Sequence, residues 1–168
     1  VSEIILQQTR VSQGLDYFLR FLERFPDVKA LSDATEEDVL SVWRGLGYYS
    51  RARNMHLAAK QVADEFEGRF PSDYHNLLKL KGIGTYTAAA ISSICGNEPN
   101  PVVDGNVIRV FSRLAGITEP AGSTLSFKLV YDKAKSLISH ENPGDFNQAV
   151  MEFGAIACKP ANPLCIDC

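Results

Sequence analysis

Apolar positions in this chain recur at the three- and four-residue intervals of helices, and no segment alternates convincingly in the two-residue rhythm of a strand. Val1 to Thr9 has helical spacing, with Glu3 and Gln7 four residues apart on one face. Val11, Leu15, Phe18, Phe21, Leu22 and Phe25 predict a second helix that turns these side chains inward and ends at Pro26. Thr35, three residues before Asp38, fits a capping box opening a helix with Val39, Leu40, Val42 and Trp43, the last in the core. Gly45-Leu46-Gly47-Tyr48-Tyr49 predicts a turn, followed by a helix from about Ser50 to Phe66. Ser72–Leu80 and Gly84–Cys95 predict two helices joined by a tight glycine turn. Pro99 and Pro101 mark a connector from Asn97 to Val103, after which Asp104-Gly105-Asn106 opens a helix holding Val107, Val110, Phe111 and Leu114. Two more helices are expected, about Thr124–Ser139 with Phe127, Val130, Ala134 and Leu137 inward, and Asp145–Cys158 with Phe146, Ala149, Phe153 and Ile156 inward. The expectation is an all-α fold of about nine helices, without solenoid repeats or low-complexity tracts.

The 168 residues, 45% of them apolar, suffice for one compact domain or two small lobes with a real core. No apolar run approaches the ~20 residues of a membrane span, and no signal peptide is visible. Starting inside a helix at Val1 and stopping on Cys168, the sequence is expected to be a trimmed fragment. Net charge is −3, from 17 basic and 20 acidic residues, which on its own argues against a nucleic-acid partner. The distribution changes that picture. Val39 to Ala63 holds Arg44, Arg51, Arg53 and Lys60 and no acid, and Tyr74 to Asn97 holds Lys79 and Lys81 and no acid. Acids gather elsewhere, as in Asp33, Glu36, Glu37 and Asp38, so a segregated basic surface can meet phosphates.

Each candidate site has a plain reading beside a chemical one. The stretch Leu80-Lys81-Gly82-Ile83-Gly84-Thr85-Tyr86-Thr87 is an ordinary helix–turn–helix corner, or an anion site in which free amides at the second helix start face a phosphate past glycines. Its spacing fits neither the P-loop nor the dinucleotide fingerprint. Tyr48 and Tyr49, followed by Arg51 and Arg53, pack a corner or form an aromatic wedge beside phosphate contacts. Asp104 is a favoured N-cap, and capping leaves one carboxylate oxygen free for chemistry. Glu3 is a solvated first-turn acid or an acid set in an apolar helix. Cys158, Cys165 and Cys168, spaced C-x6-C-x2-C, suit a soft metal or an iron–sulfur cluster but are one short of four ligands. Zinc stays open on spacing, as do disulfides and free thiols. Cys95 is expected as a buried small hydrophobe. His56, His75 and His140 share no ligand spacing.

Together, Val1–Thr9, Gly45–Tyr49, Leu80–Thr87, Val103-Asp104-Gly105-Asn106-Val107 and the terminal cysteines resemble the helix-hairpin-helix DNA glycosylases that carry an iron–sulfur cluster. Within that superfamily the chain is similar to the catalytic domain of the MutY-type adenine DNA glycosylases, over nearly its whole length. The resemblance implies a six-helix barrel lobe with the hairpin over 1–98 and a helical cluster lobe over 99–168. It implies a base-excision repair hydrolase that acts on double-stranded DNA. The enzyme would cut the N-glycosidic bond of adenine mispaired with 8-oxoguanine or guanine, after flipping the base out at a cost of roughly a few kcal/mol. Glu3 matches the general acid at adenine N7, a task at neutral pH that burial favours by disfavouring the charged form. Asp104 matches the carboxylate facing it from the opposite lobe, which stabilises an oxocarbenium-like sugar. The resemblance also assigns Asn106 to ordering the site and implies that Tyr86 lies near the reacting nucleotide.

Gln8 and Tyr48 match positions that wedge into the opened duplex, and Thr9, Arg51, Lys81, Gly82, Gly84 and Thr85 complete the implied DNA-contacting set. Cys158, Cys165 and Cys168 would hold a 4Fe-4S cluster, with a fourth cysteine beyond Cys168. Endonuclease III-type relatives place a Schiff-base lysine at the position of Tyr86, so the resemblance implies a monofunctional enzyme that leaves an abasic site. Lys81 stands where a proline is common. A monomer that works on cytoplasmic DNA, of bacterial intracellular type, is the matching expectation. The alternatives are an endonuclease III-like pyrimidine or thymine-mismatch glycosylase and a non-catalytic DNA-binding module of the same fold.

Overall fold

A computed structural model describes residues 1–166 and 168. Ten helices and no strands occur among the described residues. They are α1 (Ser2–Ile5), α2 (Val11–Arg24), α3 (Val28–Asp33), α4 (Glu36–Trp43), α5 (Ser50–Glu65), α6 (Tyr74–Leu77), α7 (Thr85–Cys95), α8 (Gly105–Ala115), α9 (Thr124–Leu137) and α10 (Pro143–Ile156). The all-α expectation holds. The helix that periodicity missed is α3, whose six residues are too few to display a period; it starts because the Asp27 carboxylate accepts from the amide of Ala30 at 2.7 Å. The capping box at α4 is present in full: Thr35 Oγ1 accepts from the Asp38 amide, and the Asp38 carboxylate accepts from the Thr35 amide.

The chain divides into two compact units, Val1–Thr87 and Ala88–Cys168, with the division inside α7. In the first unit Ile5, Phe21, Phe25, Leu31, Val39, Trp43, Leu46, Ala52 and Ala59 form the core. Phe21 meets Trp43 edge-on with ring centres 6.1 Å apart, and the Trp43 indole N–H donates to the Gly47 carbonyl at 2.9 Å. In the second unit Val107, Phe111, Val130 and Ala134 form the core, with Val103, Phe146 and Val150 packed on it. Asn147, only 2% exposed, anchors the connector there. Its Oδ1 accepts from the Val102 amide, and its Nδ2 donates to Ser93 Oγ and to the Asn100 carbonyl.

Helix faces differ from expectation at several places. Val11, Leu15 and Leu22 of α2 are exposed, while Phe21 and Phe25 are buried. Phe127 and Leu137 of α9 are exposed, while Val130 and Ala134 are buried. In α10 the inward positions are Pro143, Asn147 and Gly154, not Ala149, Phe153 and Ile156. That helix is apolar over most of its circumference, so period alone does not choose a face. Close approach chooses it: a Cβ on Gly154 would stand 2.7 Å from Asn106 Cβ, so α10 lies against the start of α8 at a distance only glycine permits. Cys95 is exposed rather than buried, because the last turn of α7 rotates it outward with Ile94.

Candidate active site

In the first unit, α1 carries Glu3, half-buried, and ends with carbonyls that have no helical partner. Arg51 of α5 satisfies them. Its Nη1 donates to Ile4 O at 3.1 Å, Ile5 O at 2.8 Å, Gln7 O and Thr9 Oγ1 at 3.3 Å, and its Nη2 donates to Gly47 O at 3.3 Å. The guanidinium also lies 5.4 Å from the ring centres of both Trp43 and Tyr48. Arg51 is 8% exposed, so it faces inward; the expectation of a phosphate contact is corrected. Desolvation costs a buried guanidinium several kcal/mol, which five oxygens and two rings offset in place of a carboxylate. Burial pulls its pKa below the usual arginine value, opposed by Tyr48. Gln8 and Tyr48, the expected wedge residues, are both exposed, and both sit in the left-handed region at φ +55° and +47°. For side chains other than glycine this costs about 1–2 kcal/mol each. Thr9 is half-buried against Arg51.

The hairpin is built as expected in kind and shorter in extent, with α6 and α7 flanking the turn. Gly82 sits at φ +81°, and a Cβ there would stand 2.5 Å from Asn54 Cβ, so both conformation and packing require glycine. Gly84 is not left-handed, and a Cβ on it would meet nothing within 4 Å, so its near side is open. The Lys81 amide donates to Gln61 Oε1 at 2.7 Å, and Gln61 Nε2 donates to the Lys79 carbonyl at 3.4 Å. Gln7 Nε2 donates to Thr87 Oγ1 at 3.1 Å, tying the α1 segment to the first turn of α7. Lys81, Thr85 and Tyr86 are exposed around this turn. Periodicity offers no signal for Gln7, Asn54 and Gln61, whose partners lie far along the chain.

In the second unit Asp104 caps α8: its Oδ1 accepts from the Val107 amide at 2.8 Å. Its Oδ2 is engaged as well, accepting from Asn106 Nδ2 at 2.9 Å, so the carboxylate is braced on both oxygens and keeps a second lone pair on each. Asn106 Oδ1 in turn accepts from Arg109 Nη2 at 2.8 Å. Arg109 also donates to the carbonyls of Gly154 and Cys158, each at 2.6 Å, and Arg113 Nη1 lies 3.3 Å from Cys158 Sγ. Among the described residues, no three His, Cys, Asp or Glu side chains are grouped as for one metal ion. The donor chemistry of Cys158, Cys165 and Cys168 fits a thiolate-held group, while their present arrangement does not gather them on one centre. No helix among the described residues is long and apolar enough to cross a membrane.

Comparison with known proteins places the chain in a family. Residues 1–134 match the HhH-GPD superfamily of base excision DNA repair proteins. Over 169 residues the chain is 43% identical to the adenine DNA glycosylase of Mus musculus, covering 100% of this chain and 33% of that protein. It spans about a third of the length of the mammalian relatives it matches. A solved thermostable thymine-DNA glycosylase superposes with a TM-score of 0.89 at 26% identity, over 99% of this chain and 77% of that one. A non-covalent endonuclease III–DNA complex gives a TM-score of 0.82, also at 26% identity and with the same coverages. With most of its residues inside the family match and its helices in the family's arrangement, the chain belongs to the HhH-GPD superfamily of base excision DNA repair proteins.

Proposed function

We propose that the chain is the catalytic part of a monofunctional adenine DNA glycosylase acting on adenine opposite 8-oxoguanine or guanine in double-stranded DNA. The observation that supports it best is the braced Asp104 carboxylate at the start of α8, in a chain aligned along its whole length with an adenine DNA glycosylase. In this reading Gln8 and Tyr48 open the stack, and the adenine nucleotide leaves it. Glu3 gives a proton to N7 as the C1′–N9 bond breaks and its electron pair goes to the base. Asp104 holds the cationic sugar until water adds at C1′ and loses a proton, leaving an abasic site and neutral adenine. Tyr86 cannot form a Schiff base, so the strand stays intact. The open side of Gly84, with Lys81 and Thr85, takes a phosphate at the α7 start. One extruded base needs one copy of the protein.

Cys158, Cys165 and Cys168 would hold a 4Fe-4S cluster, whose contribution would be structural, and no step above is routed through it. Elemental analysis of the full-length protein should find iron, and zinc in its place would replace this assignment.

The full-length protein is to be assayed for base release from adenine opposite 8-oxoguanine, adenine opposite guanine, and thymine opposite guanine. Adenine release is expected. Release of thymine alone favours the second reading, which the likeness to a thymine-DNA glycosylase motivates. Glu3→Gln should slow adenine release by roughly 10²–10⁴-fold while duplex binding is kept. An unchanged rate removes Glu3 from the mechanism.

A further inference from the structure

Two non-glycine residues of the first unit that stand in the left-handed region, Gln8 and Tyr48, are followed in sequence by quite different structure, a loop in one case and the start of α5 in the other. They share one feature. The peptide carbonyl just before each, Gln7 O and Gly47 O, accepts from the same guanidinium, through Nη1 in one case and Nη2 in the other. The angle φ of a residue is the rotation of the preceding peptide plane against its Cα. Holding the carbonyl of that plane restrains one of the two planes that define φ.

We propose that Arg51 is the positioning residue for duplex opening, one planar fork that holds Gln8 and Tyr48 in register with each other before DNA arrives. The proposal rests on the wedge role given to these two residues above. Three further observations fit it. Arg51 is buried and has no carboxylate partner among the described ion pairs, so its charge is spent on main-chain oxygens. Its Nε is buried without a partner, so its hydrogen bonds run through the two terminal nitrogens. Tyr48 is 61% exposed while its ring lies 5.4 Å from the guanidinium, so the cation braces an otherwise solvent-facing side chain. Lysine keeps the charge but has a single ammonium and cannot reach two carbonyls in fixed geometry. Pre-ordering both wedges spares the complex the entropy of ordering them on binding.

The test compares full-length wild type, Arg51→Lys, the pair Gln8→Gly with Tyr48→Gly, and the triple variant. Without DNA, amide hydrogen exchange over residues 4–10 and 45–50 reads the clamp. With DNA, the fluorescence of a 2-aminopurine beside the mispair reads unstacking. Arg51→Lys should speed exchange in both segments together, on the order of tenfold. It should lower the fluorescence gain nearly as far as the glycine pair does, and add no further loss in the triple variant. Faster exchange in one segment only, or an added loss of unstacking in the triple variant, overturns the proposal. Should Arg51→Lys not fold, Gly47→Ala serves: it strains φ +77° at a position with open space around it. Exchange must then rise in residues 4–10 as well, and confinement of the effect to 45–50 overturns the proposal. A wild type that unstacks a mispair but releases no adenine would count against the function proposed above and leave the clamp standing.

Discussion

Both units use an arginine to collect main-chain carbonyls, yet the two sites are ordered in different ways. Arg51 is buried and draws the Ile4–Thr9 segment, 42 to 47 residues away, to the adjacent Gly47 turn, and each carries a left-handed side chain, Gln8 in one and Tyr48 in the other. Arg109 is only half-buried and extends a conventional capped helix start, passing through Asn106 to Asp104. The left-handed backbone at Gln8 and Tyr48 persists because neighbours over-determine it, whereas the Asp104 site rests on ordinary capping hydrogen bonds. A strained element fails locally and together when its clamp is lost. A relay of ordinary bonds fails in proportion to the bonds removed.

The largest effect that sharpens this contrast is expected at Asp104. Asp104→Asn still caps α8, since asparagine is an equally good N-cap, so melting should shift little. Base release should fall roughly 10²–10³-fold if, as proposed, the lost charge is the one that stabilises the sugar cation. A large drop in stability instead would show that Asp104 is mainly a brace. Next comes Arg109→Lys, which keeps the charge and leaves part-buried carbonyls of Gly154 and Cys158 short of donors. Denaturant unfolding should register a cost of about 1–3 kcal/mol, while exchange over residues 4–10 stays as in wild type. Faster exchange there would erase the distinction between the two arginines. The smallest effect lies outside both sites. Hydrogen bonds from Thr35, and the charge of Arg24, hold the Asp38 carboxyl below the usual carboxylate range. A lowered folded pKa adds stability that is present above the unfolded value and fades as pH falls through the folded one. The stability gap between wild type and Asp38→Asn should therefore be widest near neutrality and close under acid conditions. A gap that widens on acidification would reverse the assignment.

What the sequence discloses follows the range of the interactions. The Thr35–Asp38 box and the Asp104 cap span three residues, and both are visible by spacing alone. So are the hairpin and its left-handed Gly82. Arg51 is not, because its partners are peptide oxygens, which every residue owns and no side-chain pattern marks; basic residues near tyrosines looked like phosphate contacts for that reason. Gln61 and Asn54 are hidden in the same way. Faces were misjudged where helices are apolar on more than one side, as with Ala149, Phe153 and Ile156 on α10. There a close contact at Gly154, not a period, selects the inward side.

The bond from the Lys81 amide to Gln61 carries one last consequence. A proline at that place would stiffen the turn through its own ring and has no hydrogen to give. This chain obtains the same firmness from a neighbour on α5, so the lysine is free to keep its charge. Under the phosphate role proposed for this turn, a change at residue 61, by eye a polar position on a helix side, should surface as weaker duplex binding.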